Sequence, residues 1–144
     1  SFAAWTDLSQ AQAWLDERLP WGPPSVYAWA ITEPVDDRLL GTTALFALAG
    51  PMHRAELGFS LRRSHQGRGL AGEAVRLALD FAFDTLGLAR IEADVDPRNT
   101  PSCRLVERFG FQREGLLRDR WRVGGEFADS IAYGLLRAYY RRLA

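Results

Sequence analysis

The stretch from Arg54 to Val95 constrains the fold most, because it has the pattern strand, glycine-rich loop, helix, strand. Apolar side chains alternate with polar ones or glycine in 54–61 and again in 89–95, which is typical of strands with one buried face. Between them, apolar residues recur at helical spacing over 70–86, and Gly87 ends the run. Such a unit predicts two parallel strands joined by a right-handed helical crossover.

Predicted antiparallel strands flank this unit on both sides in the sequence. Before it, Val26–Thr32 and Leu39–Leu48 are rich in β-branched and aromatic residues and are predicted to pair as a hairpin. After it, the closing strands are predicted at Phe111–Leu117, Trp121–Val123 and Phe127–Leu136. Together these elements predict the α+β class, with a mixed, mostly antiparallel central sheet flanked by helices.

Two further helices are expected. Residues 7–19 have apolar side chains at helical spacing. Thr100 followed by Pro101 is typical of a helix start, with the Thr100 hydroxyl as the cap, and Gly110 is typical of a helix end. In the longer helix at 70–86, we expect a broad buried stripe that includes Leu77.

Length and composition limit the class of protein. The 144 residues suit a single domain, 1–144, and 47% of them are hydrophobic, which is enough for one core. The formal net charge of zero argues against a nucleic-acid partner, because general nucleic-acid binders use basic surfaces to displace counterions. No apolar run approaches the ~20 residues that cross a bilayer, and the first residues lack a secretory pattern, so no membrane contact is expected.

Cysteine and histidine are scarce. Cys103 is the single cysteine, which rules out an internal disulfide and fits a reducing, cytoplasmic location. Without a paired histidine nearby in the sequence, Cys103 is interpreted as a packing residue rather than a nucleophile. His53 and His65 are isolated from each other and from other soft ligands, so we expect no metal site.

Gln66–Ala71 is the strongest candidate for a ligand site. Gly67 and Gly69 let a ligand approach the backbone closely, and the first amides of the following helix have no partner within that helix. These amides and the helix dipole attract phosphate or pyrophosphate, and Arg68 adds positive charge. A glycine-rich turn that only caps a helix is the alternative interpretation.

The same loop also reads G-x-G-x-x-G at Gly67, Gly69 and Gly72, with Glu92 at the distance expected of a ribose-binding acid. A dinucleotide-binding domain is therefore a competing hypothesis. It is disfavoured because residues 62–66 separate the predicted strand from the turn. A predicted hairpin, rather than a βαβ series, also precedes the loop.

Two blocks of the sequence resemble the GNAT N-acyltransferases. Gln66–Ala71 is similar to that family's pyrophosphate motif, Gln/Arg-x-x-Gly-x-Gly/Ala. Asn99–Ser102, followed by Gly110–Phe111, is similar to its second block, Asn-x-x-Ala/Ser with Gly-Phe after it. The wording of residues 99–111 looks most like the RimJ/RimL-type branch, which includes acetyltransferases of ribosomal-protein N-termini. The resemblance covers about residues 26–137. The family's first strand is expected to be missing from this sequence or to lie outside it.

The resemblance implies acetyl-CoA as the acyl donor. It places the pyrophosphate on the glycine loop, the pantetheine on amides of residues 59–61, and the pantetheine amide on Asn99. Amides at 59–61 are also expected to polarise the thioester carbonyl. The expected donor-binding residues are Phe59, Ser60, Leu61, Gln66, Gly67, Arg68, Gly69, Leu70, Ala71, Asn99 and Arg104.

It also implies that a primary amine attacks the thioester directly in a ternary complex. Glu56 is the expected base, although an ordinary strand glutamate would have the same pattern. Ser102 is expected to donate to the leaving sulfur, because Val106 stands where many family members carry a tyrosine. The alternative for Ser102 is a helix-start serine that satisfies the backbone.

The expected acceptor is the N-terminal α-amine of a protein or peptide, or a small-molecule amine. Loops at 20–25 and 118–126 are expected to shape the acceptor site. A non-catalytic acyl-CoA-binding or sensing module on the same fold is an alternative, because a fold does not fix a function. A homodimer that forms through the exposed strands near the end of the sequence is an arrangement to test.

Overall fold

Six strands form one mixed sheet in this computed structural model, which describes residues 26–46 and 53–141. Along the sheet the strand order is β1-β2-β3-β4-β6-β5. The strands are β1 Val26–Thr32, β2 Leu39–Phe46, β3 Arg54–Leu61, β4 Arg90–Val95, β5 Gln112–Val123 and β6 Glu126–Leu136. Strands β3 and β4 are parallel, and the other neighbouring pairs are antiparallel. The α+β class and the mostly antiparallel mixed sheet are thereby confirmed.

Several predictions concern residues that the structure does not describe. These are the helix at 7–19, the loop at 20–25 and residues 47 and 48 of the second predicted strand.

Two helices follow the central strands. Helix α1, Leu70–Asp80, begins after the glycine loop and continues as a π-helical segment, Phe81–Thr85. Helix α2, Thr100–Phe109, follows β4 and ends at Gly110, which has φ 104°. None of the helices in the described ranges is long and apolar enough to cross a membrane.

Both helices pack on one face of the sheet, where they share a core with alternate residues of the strands. From the helical segments the core contains Val75, Ala78, Leu79, Ala82, Phe83, Leu105, Val106 and Phe109. From the strands it contains Leu45, Ala55, Leu57, Ile91, Ala93, Val95, Ile131, Tyr133 and Leu135. We call this side of the sheet the helix face. Along β3 and β4, the residues that alternate with these core residues therefore point to the opposite face of the sheet.

The predicted buried stripe of α1 is wrong at Leu77, which is 57% exposed. Val75 and Leu79 are fully buried and mark the centre of the helix's buried face. Since each residue turns the helix by ~100°, Leu77, two positions from each, lies on the opposite side. Because apolar residues lie on nearly every side of this helix, the sequence alone did not determine which side is buried.

The cap of α2 also differs from the prediction. The Asn99 side-chain oxygen accepts a hydrogen bond from the Ser102 amide at 3.2 Å, so Asn99 is the N-cap. Thr100 is the first helical residue, and Pro101 remains in the first turn, where its missing amide costs nothing. Asparagine is at least as favourable a cap as threonine, which explains the shift by one residue.

The two predicted strands at 111–117 and 121–123 form one strand, β5, with a bulge. Leu117 pairs with Ser130 and Trp121 pairs with Ala128, so three residues of β5 lie opposite Asp129 alone. Asp119, in the middle of the bulge, has φ 49°, and its amide donates to the Asp129 carboxylate at 2.9 Å. The sequence break that we interpreted as a loop is therefore a local irregularity within a continuous strand.

The central parallel pair separates part of the way along its length. Residues Arg54–Glu56 of β3 pair with Arg90–Glu92 of β4, and no residue farther along these two described strands continues the ladder. Strand β3 stays paired with β2 up to Leu61, and β4 stays paired with β6 up to Val95. A wedge-shaped opening, which we call the strand cleft, therefore lies between residues 57–61 and 93–95.

Candidate functional site

Hydrogen bonds fix which backbone groups of β3 face the strand cleft. The Arg62 amide donates to the Leu40 carbonyl of β2 at 2.7 Å. At the other end of the strand, the His53 carbonyl accepts from the Ala89 amide at 2.8 Å, on the β4 side. Successive residues of a strand direct their backbone groups to opposite edges, so the odd-numbered residues of β3 face β4. Beyond the last ladder pair, these groups face the cleft.

Two of the three residues expected to hold pantetheine direct their amides to the cleft. These are Phe59 and Leu61, whereas the Ser60 amide points toward β2. The Leu61 carbonyl accepts a hydrogen bond from the Gln66 side chain at 3.2 Å. Gln66 therefore ties the start of the glycine loop to the end of β3.

The glycine loop presents an open backbone at the start of α1. Gly67 has φ 82° and Gly69 has φ 76°, both in the left-handed region, and a methyl group added at either would meet no atom of the described residues within 4 Å. Helix α1 begins at Leu70 without a side-chain cap, so the first amides of the helix are left for another partner. Open space, free amides and the positive helix end fit a pyrophosphate, which supports the fit of an acyl-CoA donor.

Arginines flank this loop. A methyl group added at Gly72, in the first turn of α1, would lie 3.4 Å from Leu105 Cδ1 and 3.9 Å from Arg108 Nη2. Helix α2 therefore runs beside the start of α1, with exposed Arg104 one turn before Arg108. The described part of the chain shows no ion pair for Arg68, Arg104 or Arg108. Their charges are available to an anion.

Asn99 and Ser102 lie where β4 leads into α2, beside the cleft. Both are half-buried. The capping bond uses the Asn99 side-chain oxygen, which leaves its NH₂ group as a donor. The Ser102 amide is the group that α2 needs capped, whereas its hydroxyl takes no part in that bond. Capping therefore does not compete with the expected roles of the Asn99 NH₂ group and the Ser102 hydroxyl.

Carboxylates lie on the sheet face opposite the helices. Glu56 pairs with Glu92 at the last position of the β3–β4 ladder, at the closed end of the cleft. The Glu92 carboxylate accepts hydrogen bonds from Arg54 Nη1 at 3.0 Å and from Arg90 Nε at 3.1 Å. The charge of Glu92 is thus neutralised by two arginines. Glu56, the carboxylate predicted from the sequence as the base, lies where β3 and β4 begin to separate.

Asp94 is the next carboxylate along β4, on the same face and beyond the last ladder pair. Its side chain is 20% exposed, and the nearest cation is Arg120 Nε, 4.0 Å from Oδ2. Burial raises the pKa of Asp94 above its ordinary value, Arg120 opposes that shift, and Glu92 adds to it. In the sequence, Asp94 stands out only as one polar member of the alternating stretch 89–95. The β3–β4 ladder ends before Asp94, and the nearest cation belongs to β5, on the far side of β6.

Two other reactive side chains belong to the core. The Tyr133 hydroxyl donates to Glu107 Oε1 at 2.8 Å, and its ring is buried on the helix face. Cys103 is buried in the same core, with Sγ 3.8 Å from the Asp96 carbonyl, which supports the packing interpretation. Among the described residues, no group of three or more His, Cys, Asp or Glu stands close enough to hold a metal ion.

The sequence and fold match known acetyltransferases. Residues 2–112 match the family model described as Acetyltransferase (GNAT) domain. The chain is 42% identical over 104 residues to the uncharacterized N-acetyltransferase p20 of Bacillus licheniformis, covering 72% of this chain and 58% of that protein. It is 29% identical over 112 residues to the ribosomal protein uS5 alanine N-acetyltransferase of Escherichia coli, covering 77% of this chain and 58% of that one.

The fold is similar to that of solved acetyltransferase structures. A ribosomal-protein alanine acetyltransferase from Vibrio fischeri superimposes with a TM-score of 0.79 and 21% identity, covering 97% of this chain and 80% of that chain. At this identity the likeness concerns the fold. The chain spans 58% of the length of the two relatives compared above.

Proposed function

The chain belongs to the GNAT acetyltransferase domain family, and from this premise we propose that it transfers an acetyl group from acetyl-CoA to a primary amine. The observation that carries the proposal is the strand cleft beside an open glycine loop. The strand cleft suits the extended, thioester-bearing arm of the donor, and the glycine loop suits the pyrophosphate of the same molecule. Amides of Phe59 and Leu61 face the space between them.

The donor is held along one continuous path in this proposal. Acetyl-CoA supplies the acetyl group as a thioester. Gly67 to Ala71 bind the pyrophosphate through backbone amides, with Arg68 and Arg104 contributing charge. Phe59 and Leu61 bind the pantetheine and the thioester oxygen through their amides, and Asn99 binds a pantetheine amide through its NH₂ group. Ser60 takes part only by lying between Phe59 and Leu61 on β3, since its own amide faces β2.

Two side chains handle protons during the transfer. Glu56 accepts the proton that the amine nitrogen loses as the carbon–nitrogen bond forms, directly or through a water molecule. Ser102 gives its hydroxyl proton to the leaving sulfur and recovers one from the site afterwards. Donors in the cleft stabilise the negative charge that develops on the thioester oxygen. No metal enters the proposal.

The leading acceptor is the N-terminal α-amine of a protein or peptide, with a small-molecule amine as the alternative. Support comes from the Escherichia coli relative, whose name specifies an alanine of a ribosomal protein. The β5 bulge at 118–120 lies opposite β6, the strand that separates it from β4, and it lines an open hollow with Leu116, Leu117 and Asp129. We propose that this hollow contacts the acceptor.

A calorimetric titration with acetyl-CoA, with NAD as the control ligand, tests the donor site. Saturable one-site binding of acetyl-CoA without binding of NAD is expected. Binding of NAD instead would favour a dinucleotide-binding domain. A folded protein that binds neither ligand would refute the proposed donor site.

An amine panel then tests the transfer. Peptides with free N-termini, a polyamine and other small amines are incubated with acetyl-CoA, and release of free thiol is followed. We expect turnover of at least one class, and we expect Glu56→Gln and Ser102→Ala to lower kcat by about 10²-fold or more, the range of general acid–base catalysis. Donor binding without turnover of any amine would favour the non-catalytic acyl-CoA sensor.

A further inference from the structure

Arg120 reaches from the edge strand β5 across β6 toward the strand cleft, and we propose that it binds a carboxylate of the acceptor. The preferred acceptor is then a peptide with an acidic side chain in one of its first two residues. This inference rests on the proposed transfer of an acetyl group to an amine. It names the class of acceptor that the same site takes.

The bulge in β5 redirects the Arg120 side chain. Leu116 pairs with Ile131, whose side chain belongs to the core, so simple alternation along β5 would place Arg120 on the helix face as well. Instead, Arg120 Nε lies 4.0 Å from Asp94 Oδ2. Asp94 stands between two core residues of β4 and therefore points to the opposite side of the sheet, which we call the outer face. β-Bulges often re-aim a side chain in this way beside active sites.

Small side chains on β6 let Arg120 cross to β4. On the outer face β6 carries Ala128, Ser130, Ala132 and Gly134. The long Arg120 side chain therefore passes over β6 and meets the side chain of Asp94, on the strand that borders the cleft. A carboxylate bound at this guanidinium would lie ~5–10 Å, the width of one or two strand spacings, from an amine in the strand cleft.

The hydrogen-bond donors of Arg120 are not used within the described ranges 26–46 and 53–141. On the same face, Arg54 donates to Glu92 at 3.0 Å, whereas no such bond is formed by the Arg120 side chain within those ranges. Its 4.0 Å approach to Asp94 exceeds the ~2.7–3.2 Å of a hydrogen bond. Arg120 Cζ lies over the Trp121 ring, 5.1 Å from the ring centre, which holds the guanidinium in place. Its planar fork of N–H groups matches a carboxylate.

The hollow beside Arg120 offers a second guanidinium. Arg118 lines it too, and Arg118 forms no ion pair with any other described residue. The Asp129 carboxylate accepts a hydrogen bond from the Asp119 amide at 2.9 Å, so part of its charge is already directed to the backbone. Two arginines and two aspartates make the hollow neutral as a whole. It therefore suits a single carboxylate better than a polyanion.

The distance to the cleft favours a side-chain carboxylate over an α-carboxylate. In a free amino acid the α-carboxylate begins two bonds from the amine nitrogen and lies only ~3 Å away. One extended residue advances a peptide by ~3.3–3.6 Å, so an acidic side chain of the first or second residue places its carboxylate ~5–9 Å from the N-terminal amine. That range matches the separation between Arg120 and the cleft.

The test compares two peptides that differ in one side chain, Ala-Glu-Ala-Ala-Ala and Ala-Gln-Ala-Ala-Ala, both amidated at the C-terminus. We expect the unaltered protein to prefer the glutamate peptide by about 10–100-fold in kcat/KM, the range of a charge-assisted hydrogen bond. Most of the difference should lie in KM, because Arg120 holds the carboxylate equally before and during transfer. In Arg120→Gln the two peptides should differ by less than about 3-fold, at the level of the glutamine peptide with the unaltered protein.

Arg38→Gln is the matched control. It makes the same chemical change at an exposed arginine in the β1–β2 turn, on the far side of the sheet from β5. It should leave the preference for the glutamate peptide unchanged. Arg120→Glu should instead favour a third peptide, Ala-Lys-Ala-Ala-Ala amide, because the two charges are exchanged. Calorimetry should show equal acetyl-CoA binding in all these variants.

A readout on the unaltered protein keeps the proposal testable if the Arg120 variants fold poorly. The Arg120 side chain is 50% exposed, so its pairing with a bound carboxylate is open to screening by salt. The preference for the glutamate peptide should therefore shrink as the salt concentration rises. A preference that does not respond to salt would contradict a half-exposed ion pair.

The outcomes separate this inference from the proposed function. Equal turnover of the glutamate and glutamine peptides by the unaltered protein, or a preference that persists in Arg120→Gln, would overturn the role of Arg120 while the transfer reaction stands. Alanine and alaninamide, which differ in the α-carboxylate, test the other source of a carboxylate. A preference for alanine that disappears in Arg120→Gln would overturn the peptide as acceptor. Failure of the unaltered protein to acetylate any amine would refute the proposed function itself.

Discussion

Two glycines, one before α1 and one after the helical segment, provide a pair of substitutions that separates ligand binding from folding. Gly69 has φ 76° and Gly87 has φ 66°, and in the described part of the chain a methyl group added at either meets no atom within 4 Å. Gly69 stands at the start of α1 in the proposed pyrophosphate site, whereas Gly87 follows the far end of the helical segment. Replacing each by alanine therefore imposes the same backbone strain at two places, one of which lies in the proposed ligand site.

The expected magnitudes follow from that geometry. Holding an L-residue in the left-handed region costs about 1–2 kcal/mol, so both variants should lose that much free energy of unfolding. For 144 residues, the entropy of unfolding is about 0.3 kcal/mol per kelvin, which corresponds to a fall in Tm of about 3–7 °C. In Gly69→Ala the methyl group also occupies the space through which we propose that the pyrophosphate approaches the amides. Losing one charge-assisted hydrogen bond costs about 1.5–3 kcal/mol, or about 10–150-fold in Kd.

Two assays check this prediction. Thermal denaturation without ligand should give similar shifts for the two variants, and calorimetry should give a weakened acetyl-CoA Kd for Gly69→Ala alone, with Gly87→Ala within about 2-fold of the unaltered protein. If the two variants fell equally in Tm and bound acetyl-CoA equally well, the pyrophosphate would lie elsewhere and the loop would be only a helix cap.

Three further results are expected. Hydrogen bonds from Arg98 lower the pKa of Asp96, so its stabilising contribution is present at neutral pH and is lost as pH falls through the lowered pKa. Urea titrations of Asp96→Asn should therefore show a lower free energy of unfolding near pH 7 and a smaller further decrease at acid pH than in the unaltered protein. Tyr133→Phe should lose about 1–2 kcal/mol in the same assay, because the hydroxyl donates to the Glu107 carboxylate, and should bind acetyl-CoA normally. Asn99→Asp should keep the helix cap and its stability but weaken donor binding, whereas Asn99→Ala should lose about 1 kcal/mol as well; equal donor binding in both would remove Asn99 from the site.

Local patterns predicted much of the architecture. Alternation in 54–61 and 89–95, with helical spacing between them, predicted the parallel pair and its crossover helix, and the structure confirms both. The same held for Gly110, whose φ of 104° suits glycine at a helix end. These features depend on the chemistry of neighbouring residues, which is why one sequence sufficed.

Features set by long-range geometry were not predictable in the same way. Which side of α1 is buried depends on the strands that the helix packs against. Leu77 is apolar but faces outward, and its residue type alone does not indicate this. The β5 bulge depends on the Asp119 amide meeting Asp129 on the neighbouring strand. The interruption in the pattern was visible in the sequence, but its partner was not.

The same distinction explains why Glu56 was singled out and Asp94 was not. Both are acidic residues at outward positions of alternating strands, so their local patterns are equivalent. What separates them from ordinary surface acids is the register of β3 against β4, which ends at Glu56 and Glu92 and leaves Asp94 beyond the ladder. A family motif indicates the loop that we propose binds the donor, because such a loop needs particular residues at fixed spacing. How far two strands stay paired, in contrast, depends on residues that are distant in the sequence, so the position of Asp94 beyond the ladder is visible only in the structure.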